Sequence, residues 1–174
     1  MLERILITGS GGQGVILIGK ILATLAVKSI PHITFFPSYG AEVRGGTSAC
    51  QVILSSKEIA SPLSEVFDTI VCMNQEGADQ FCRQMTKQSL VIVNTSLCKK
   101  PIVRSNILQM DATRLADGLG DTRVANFIML GAYLAAKPVV SPLQAEKGIR
   151  ELLAGKNMSL IDLNIKAFRT GLKS

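Results

Sequence analysis

Tryptophan is absent, aromatic residues make up only 5% of the 174, and histidine occurs once. So few rings argue against a platform on which single-stranded bases stack. With His32 the sole imidazole, a Ser-His-Asp triad on Ser10 or Ser38 is not expected, and His32 lacks a second His or Cys at ligand spacing. Charge is also scarce, at 18% against 47% hydrophobic residues, which predicts apolar surface covered by a partner. The net charge of +6 comes from 19 scattered Lys and Arg, the densest cluster being Lys99-Lys100. That balance suits anionic small molecules or an acidic partner subunit better than nucleic acid. Cys50, Cys72, Cys82 and Cys98 contain no C-x-x-C pair, so buried free thiols in a reducing cytoplasm are expected, with no zinc or iron–sulfur site from this chain alone. The apolar stretch from Val15 to Val27 is broken by Lys20 and is too short to span a bilayer, and Met1-Leu2-Glu3-Arg4 lacks a basic n-region. A soluble cytoplasmic chain without a membrane span is the expectation.

What the chain does have comes early. The run Arg4-Ile5-Leu6-Ile7-Thr8 leads into Gly9-Ser10-Gly11-Gly12-Gln13-Gly14 and then Val15-Ile16-Leu17-Ile18, a strand, a glycine turn and a helix. Glycines at 9, 11 and 14 let the backbone turn sharply and let another surface approach the first free N–H groups of the helix. The spacing satisfies G-x-G-x-x-G. A dinucleotide site also needs an acid about 20 residues on, at the end of the second strand. That strand, His32-Ile33-Thr34-Phe35-Phe36, ends in Pro37-Ser38-Tyr39-Gly40 with no carboxylate, and Glu42 lies beyond a proline and a glycine. Nicotinamide or flavin binding is therefore disfavoured.

The length fits one domain with a full core, residues 1–174. A helix is predicted over 13–28, with Ile18, Ile21, Leu22 and Leu25 on one stripe, ended by Pro31. Strands follow at 47–54, 68–73, 90–93 and 107–110. Ser55-Ser56-Lys57-Glu58 reads as a turn into a short return segment from Ile59 that Pro62 stops, and 75–87 reads as a helix. After Asp111 the pattern is helical: 124–137 is apolar almost all round, Ser141-Pro142 opens a helix stopped by Gly155, and Ser159-x-x-Asp162 reads as a capping box for the last one. The alternation predicts an α/β fold, a mostly parallel sheet with helices on both faces and a Rossmann-like glycine turn after the first strand.

The second informative segment is Pro37-Ser38-Tyr39-Gly40-Ala41-Glu42-Val43-Arg44-Gly45-Gly46-Thr47. It leaves the carboxyl end of the second strand, the side on which open α/β sheets hold ligands and on which the first glycine turn also opens. The two segments should face one another. If 42–44 is extended, Glu42 and Arg44 share a face and pair, leaving Arg44 oriented toward a carboxylate or phosphate; alternatively Gly45-Gly46 makes a bulge and the pair only fixes a surface loop.

Together these two segments resemble the gamma subunit, or gamma-type domain, of the 2-oxoacid:ferredoxin (acceptor) oxidoreductases, over essentially the whole chain. The P-S-Y-G-x-E-x-R-G-G-T wording is most like the 2-oxoglutarate branch. The resemblance implies a component of a multisubunit enzyme that decarboxylates a 2-oxoacid on thiamine diphosphate with magnesium, passes electrons through iron–sulfur clusters to ferredoxin or another acceptor, and forms acyl-coenzyme A. Those cofactors are implied in alpha, beta and in some cases delta subunits, consistent with the absence here of cluster spacing and of a G-D-G thiamine motif. The implied contact residues are Gly9, Ser10, Gly11, Gly12, Gln13, Gly14, Ser38, Tyr39, Gly40, Glu42, Arg44, Gly45 and Gly46, none of them catalytic, and the isolated chain is expected to be inactive, with self-dimerisation left open. The alternative is an independent nucleotide-binding or regulatory α/β module.

Overall fold

A computed structural model describes residues 1–39, 46–81, 84–102 and 106–173. Six strands form one sheet: β1 (Leu2–Ser10), β2 (His32–Tyr39), β3 (Thr47–Ser55), β4 (Phe67–Cys72), β5 (Met85–Asn94) and β6 (Ile107–Met110). Their spatial order is β2-β3-β1-β4-β5-β6. The β1–β4, β4–β5 and β5–β6 pairs are parallel, while β3 runs antiparallel to both β1 and β2. β3 is thus the one reversed strand, and the sheet is mostly parallel as expected. Ile5, Leu6 and Ile7 at its centre are buried, which suits a strand covered on both faces.

The helices are α1 (Val15–Ala26), α2 (Gln75–Phe81), α3 (Ala112–Gly118), α4 (Ala125–Ala136), α5 (Pro142–Leu152) and α6 (Met158–Leu172). α1, α3 and α4 join Ile5, Ile7, Cys50, Val52 and Ile92 in the larger core, with residues of α5 and α6 in the same cluster. The opposite face carries Leu6, Ile70, Cys72, Val91 and Val93; α2 is the helix there among the described residues, supported by Cys98 and Ile102 from the stretch after β5. The near-uniform apolar character of α4 follows from burial between the sheet and α6: ten of its residues are buried, from Ala125 to Leu134.

Three expectations are corrected. The helix predicted over 75–87 ends at Phe81, and Met85, Thr86 and Lys87 already belong to β5. Met85 pairs with Phe67 and is buried while Thr86, Lys87 and Gln88 are exposed, so strand pairing overrides the helical tendency of a Lys/Gln-rich run. No strand or helix forms in 56–66; that stretch is tied down by Gln51 Oε1, which accepts the Ser64 N–H. The last helix is capped by Asn157, whose Oδ1 accepts the Ser159 N–H and hydroxyl, so Ser159 lies inside the helix rather than at its cap. Ser141 caps α5 with Pro142 in its first turn, as the sequence indicates, and Gln144 completes a capping box that the sequence reading did not name.

Candidate functional site

β1, β2, β4, β5 and β6 all finish at one edge of the sheet, and β3 begins there. Gly12 and Gly14 adopt φ of 90° and 72°, the left-handed region that glycine enters without steric cost. Gly14 serves as N-cap of α1 with no side chain capping it, and no acid stands in the first turn. The Ile18 N–H makes the first helical bond, to Gly14 O, so the amides of residues 15–17 come before the ladder starts and point at the edge. Gln13 closes the turn on itself: its Oε1 accepts the Ser10 N–H at 2.7 Å and its N–H donates to Ser10 O. A Cβ on Gly9 would lie 2.8 Å from Met73 Cβ, which is why the next-to-last residue of β1 must be glycine where the chain after β4 passes it.

The two glycine segments do meet. Gly11 N–H donates to Gly46 O at 3.1 Å, directly above the Ser10–Thr47 pair of the β1–β3 ladder. Ser38 and Tyr39 sit on the same edge but pair with Ala49 and Ser48, so the width of β3 separates them from the glycine turn. Gly40, Glu42, Arg44 and Gly45 lie outside the described residues, and with them the proposed Glu42–Arg44 pair.

Residues that the sequence motifs did not single out hold this edge in place. Asn74, just after β4, accepts the Gly77 N–H on Oδ1 and donates from Nδ2 to Ser10 Oγ at 2.5 Å. Glu76 Oε1 accepts the Thr47 hydroxyl at 3.2 Å. Asn126, buried at the start of α4, reaches Gly14 O with Nδ2 at 3.4 Å while its Oδ1 accepts the Phe127 N–H. Asn94, fully buried at the end of β5, donates to Met73 O and Thr113 Oγ1. Asn74 before Gln75-Glu76-Gly77 at a strand end was a legible helix-start signal; Asn94 and Asn126 were not, because their partners are distant in sequence.

Charge at the edge is mixed. Asp111, after β6, is held below the usual carboxylate range by the Ser96 hydroxyl and the Arg114 guanidinium. Asp79 on α2 is lowered by Lys100 and by Gln75. Cys50, Cys72 and Cys98 are buried free thiols, and burial pushes Cys50 up to about 12 and Cys98 to about 11, leaving them protonated and inert. Among the described residues no three His, Cys, Asp or Glu converge into a metal cage, and no helix is long and apolar enough to cross a membrane. The arrangement is a polar, glycine-lined shelf, with no nucleophile–base pair among the described residues.

Comparison with known proteins gives this shelf a context. The chain is 34% identical to the ketoisovalerate oxidoreductase subunit VorA of Methanothermobacter marburgensis over 97% of its length, and spans 35% of that longer protein. It is 33% identical to the 2-oxoglutarate synthase subunit KorC of Methanocaldococcus jannaschii, covering 86% of this chain and 82% of that one. The crystal structure of the keto/oxoacid ferredoxin oxidoreductase gamma subunit of Geobacter sulfurreducens PCA superposes with a TM-score of 0.82 at 30% identity, over 98% of this chain and 96% of that one. The model of the pyruvate ferredoxin/flavodoxin oxidoreductase family matches residues 4–174, and the chain belongs to that family.

Proposed function

We propose that the chain is the gamma component of a multisubunit, thiamine-dependent 2-oxoacid oxidoreductase of the cytoplasm, working with alpha and beta subunits and in some assemblies a delta subunit. The enzyme converts a 2-oxoacid, 2-oxoglutarate in the first instance, to acyl-coenzyme A and reduces ferredoxin or another acceptor. The observation that carries this reading is the Gly11–Gly46 junction, which unites both family segments on one shelf of a chain that belongs to the family throughout. Thiamine diphosphate supplies the carbanion chemistry. The four cysteines have no cluster spacing in the sequence, which supports placing magnesium and the iron–sulfur clusters in the other subunits. This chain binds and positions: its shelf meets the coenzyme A side or a partner edge, with Arg44 as the cation of the loop between β2 and β3.

A second substrate reading has its own support. The ketoisovalerate subunit VorA is as similar to this chain as the 2-oxoglutarate subunit KorC, so a branched-chain 2-oxoacid competes with 2-oxoglutarate. Reconstitution decides both questions. The chain alone should turn over nothing, and addition of the alpha and beta chains should give coenzyme A-dependent reduction of an artificial acceptor with a panel of 2-oxoglutarate, ketoisovalerate and pyruvate. Turnover by the isolated chain, or failure to bind the other subunits, would leave the independent α/β module as the better account.

A further inference from the structure

The orientation of one amide determines where a proton at the shelf points. Asn74 Oδ1 accepts the Gly77 backbone N–H at 2.9 Å, so its other arm is the NH2, and that arm donates to Ser10 Oγ. A hydroxyl that accepts from Asn74 still has its own proton to give, and nothing among the described residues receives it. Ser10 is half-buried at the end of β1, with that proton directed away from Asn74. Directly opposite on the same face of the β1–β3 ladder stands Thr47, whose hydroxyl is committed to Glu76 Oε1. Glu76 is exposed, so its carboxylate has acceptor capacity left beside the serine donor. Its charge disfavours an anion there. A neutral donor next to an acceptor matches the C=O and N–H of a secondary amide.

We propose that Ser10 donates a hydrogen bond to an amide carbonyl bound at this shelf, and that Asn74 is the positioning residue that keeps the proton outward. The inference rests on the gamma-component reading and deepens it. Such amides have two sources in the assembled enzyme: the pantetheine arm of coenzyme A, or the backbone of a partner subunit.

Asn74→Asp is the informative variant. A carboxylate still accepts the Gly77 N–H but cannot donate to Ser10, so the serine turns its proton inward and the outward donor is lost. Ser10→Ala removes the same donor directly. In the reconstituted enzyme each variant should cost roughly three- to tenfold, the size of one neutral hydrogen bond, and the double variant should cost no more than either single one. If the amide is pantetheine, the loss appears in the coenzyme A KM with subunit affinity unchanged. If it belongs to a partner chain, subunit affinity falls and the coenzyme A KM does not. Wild-type values in both measurements for Ser10→Ala, additive losses in the double variant, or a change confined to thermal stability would overturn the proposal. Failure of the unaltered chain to assemble would instead overturn the gamma reading, and this proposal with it.

Discussion

At Gly14 two demands coincide, and either alone would select glycine. Its φ of 72° is costly for an L side chain, and a Cβ there would run into Asn126 Nδ2. Gly14→Ala should therefore lower stability by about 2–3 kcal/mol in urea titrations, from backbone strain of ~1–2 kcal/mol plus displacement of a buried amide. Gly12 separates the two effects: it has φ of 90° but open space around it. Gly12→Ala should cost only about 1 kcal/mol of folding stability, so any larger loss of activity after assembly measures how closely another surface approaches the turn. Arg44→Ala should fold normally and cut activity of the assembled enzyme more than tenfold, on the order of 1.5–3 kcal/mol for a charge-assisted contact; wild-type turnover would make the loop purely structural. The glycines were legible in the sequence because backbone geometry leaves few other residues able to stand there. The long-range partners of Asn74, Glu76 and Asn126 were not legible: an asparagine or glutamate carries no local mark of a partner 64, 29 or 112 positions away.

Among the elements, the closest helix packing is between α4 and α6. A Cβ on Gly131 would meet Phe168 O, and one on Gly171 would meet Ile128 O, so each helix lays its backbone against a glycine of the other. Gly131→Val should push the pair apart and cost about 1–3 kcal/mol by overpacking, seen as a lower Tm with the near-ultraviolet circular dichroism of the remaining fold retained. The sequence marked α4 as buried on every side but could not name what covers it, since α6 reads only as an ordinary amphipathic helix. The same limit explains the misread start of β5. Thr86-Lys87-Gln88 has no strand alternation of its own, and only the distant pairing of Met85 with Phe67 recruits it into the sheet. Strands β1, β3 and β4 were legible because their apolar runs are long and bounded by turn residues; the reversal of β3 was not, because apolar runs carry no direction.

For the molecule as a whole, acid stability depends on a clasp at the sheet end opposite the shelf. Arg4 on β1 donates to both oxygens of Asp68 on β4 from its side chain, and its backbone N–H adds a third bond. The Arg4 hydrogen bond holds the Asp68 carboxyl below the usual carboxylate range against the opposing effect of burial. A lowered folded pKa means that this stabilisation is fully present above the unfolded value and disappears as pH falls through the folded one. The native chain should therefore exceed Asp68→Asn in Tm at pH 6 by a margin that shrinks once the pH drops below 3.8. An equal margin at pH 6 and pH 2 would show that packing, rather than ionisation, explains the difference.

The reversed strand has a consequence for how such a domain can change over generations. Because β3 returns between β2 and β1, the chain on either side of residues 40–45 is fixed by paired strands on one rim. Insertions, deletions and substitutions between those fixed points can be made while the register of the buried strands stays where it is. Under the proposed gamma role, a lineage could exchange one partner or acid for another by rewriting a few residues there, with the core under no pressure to follow.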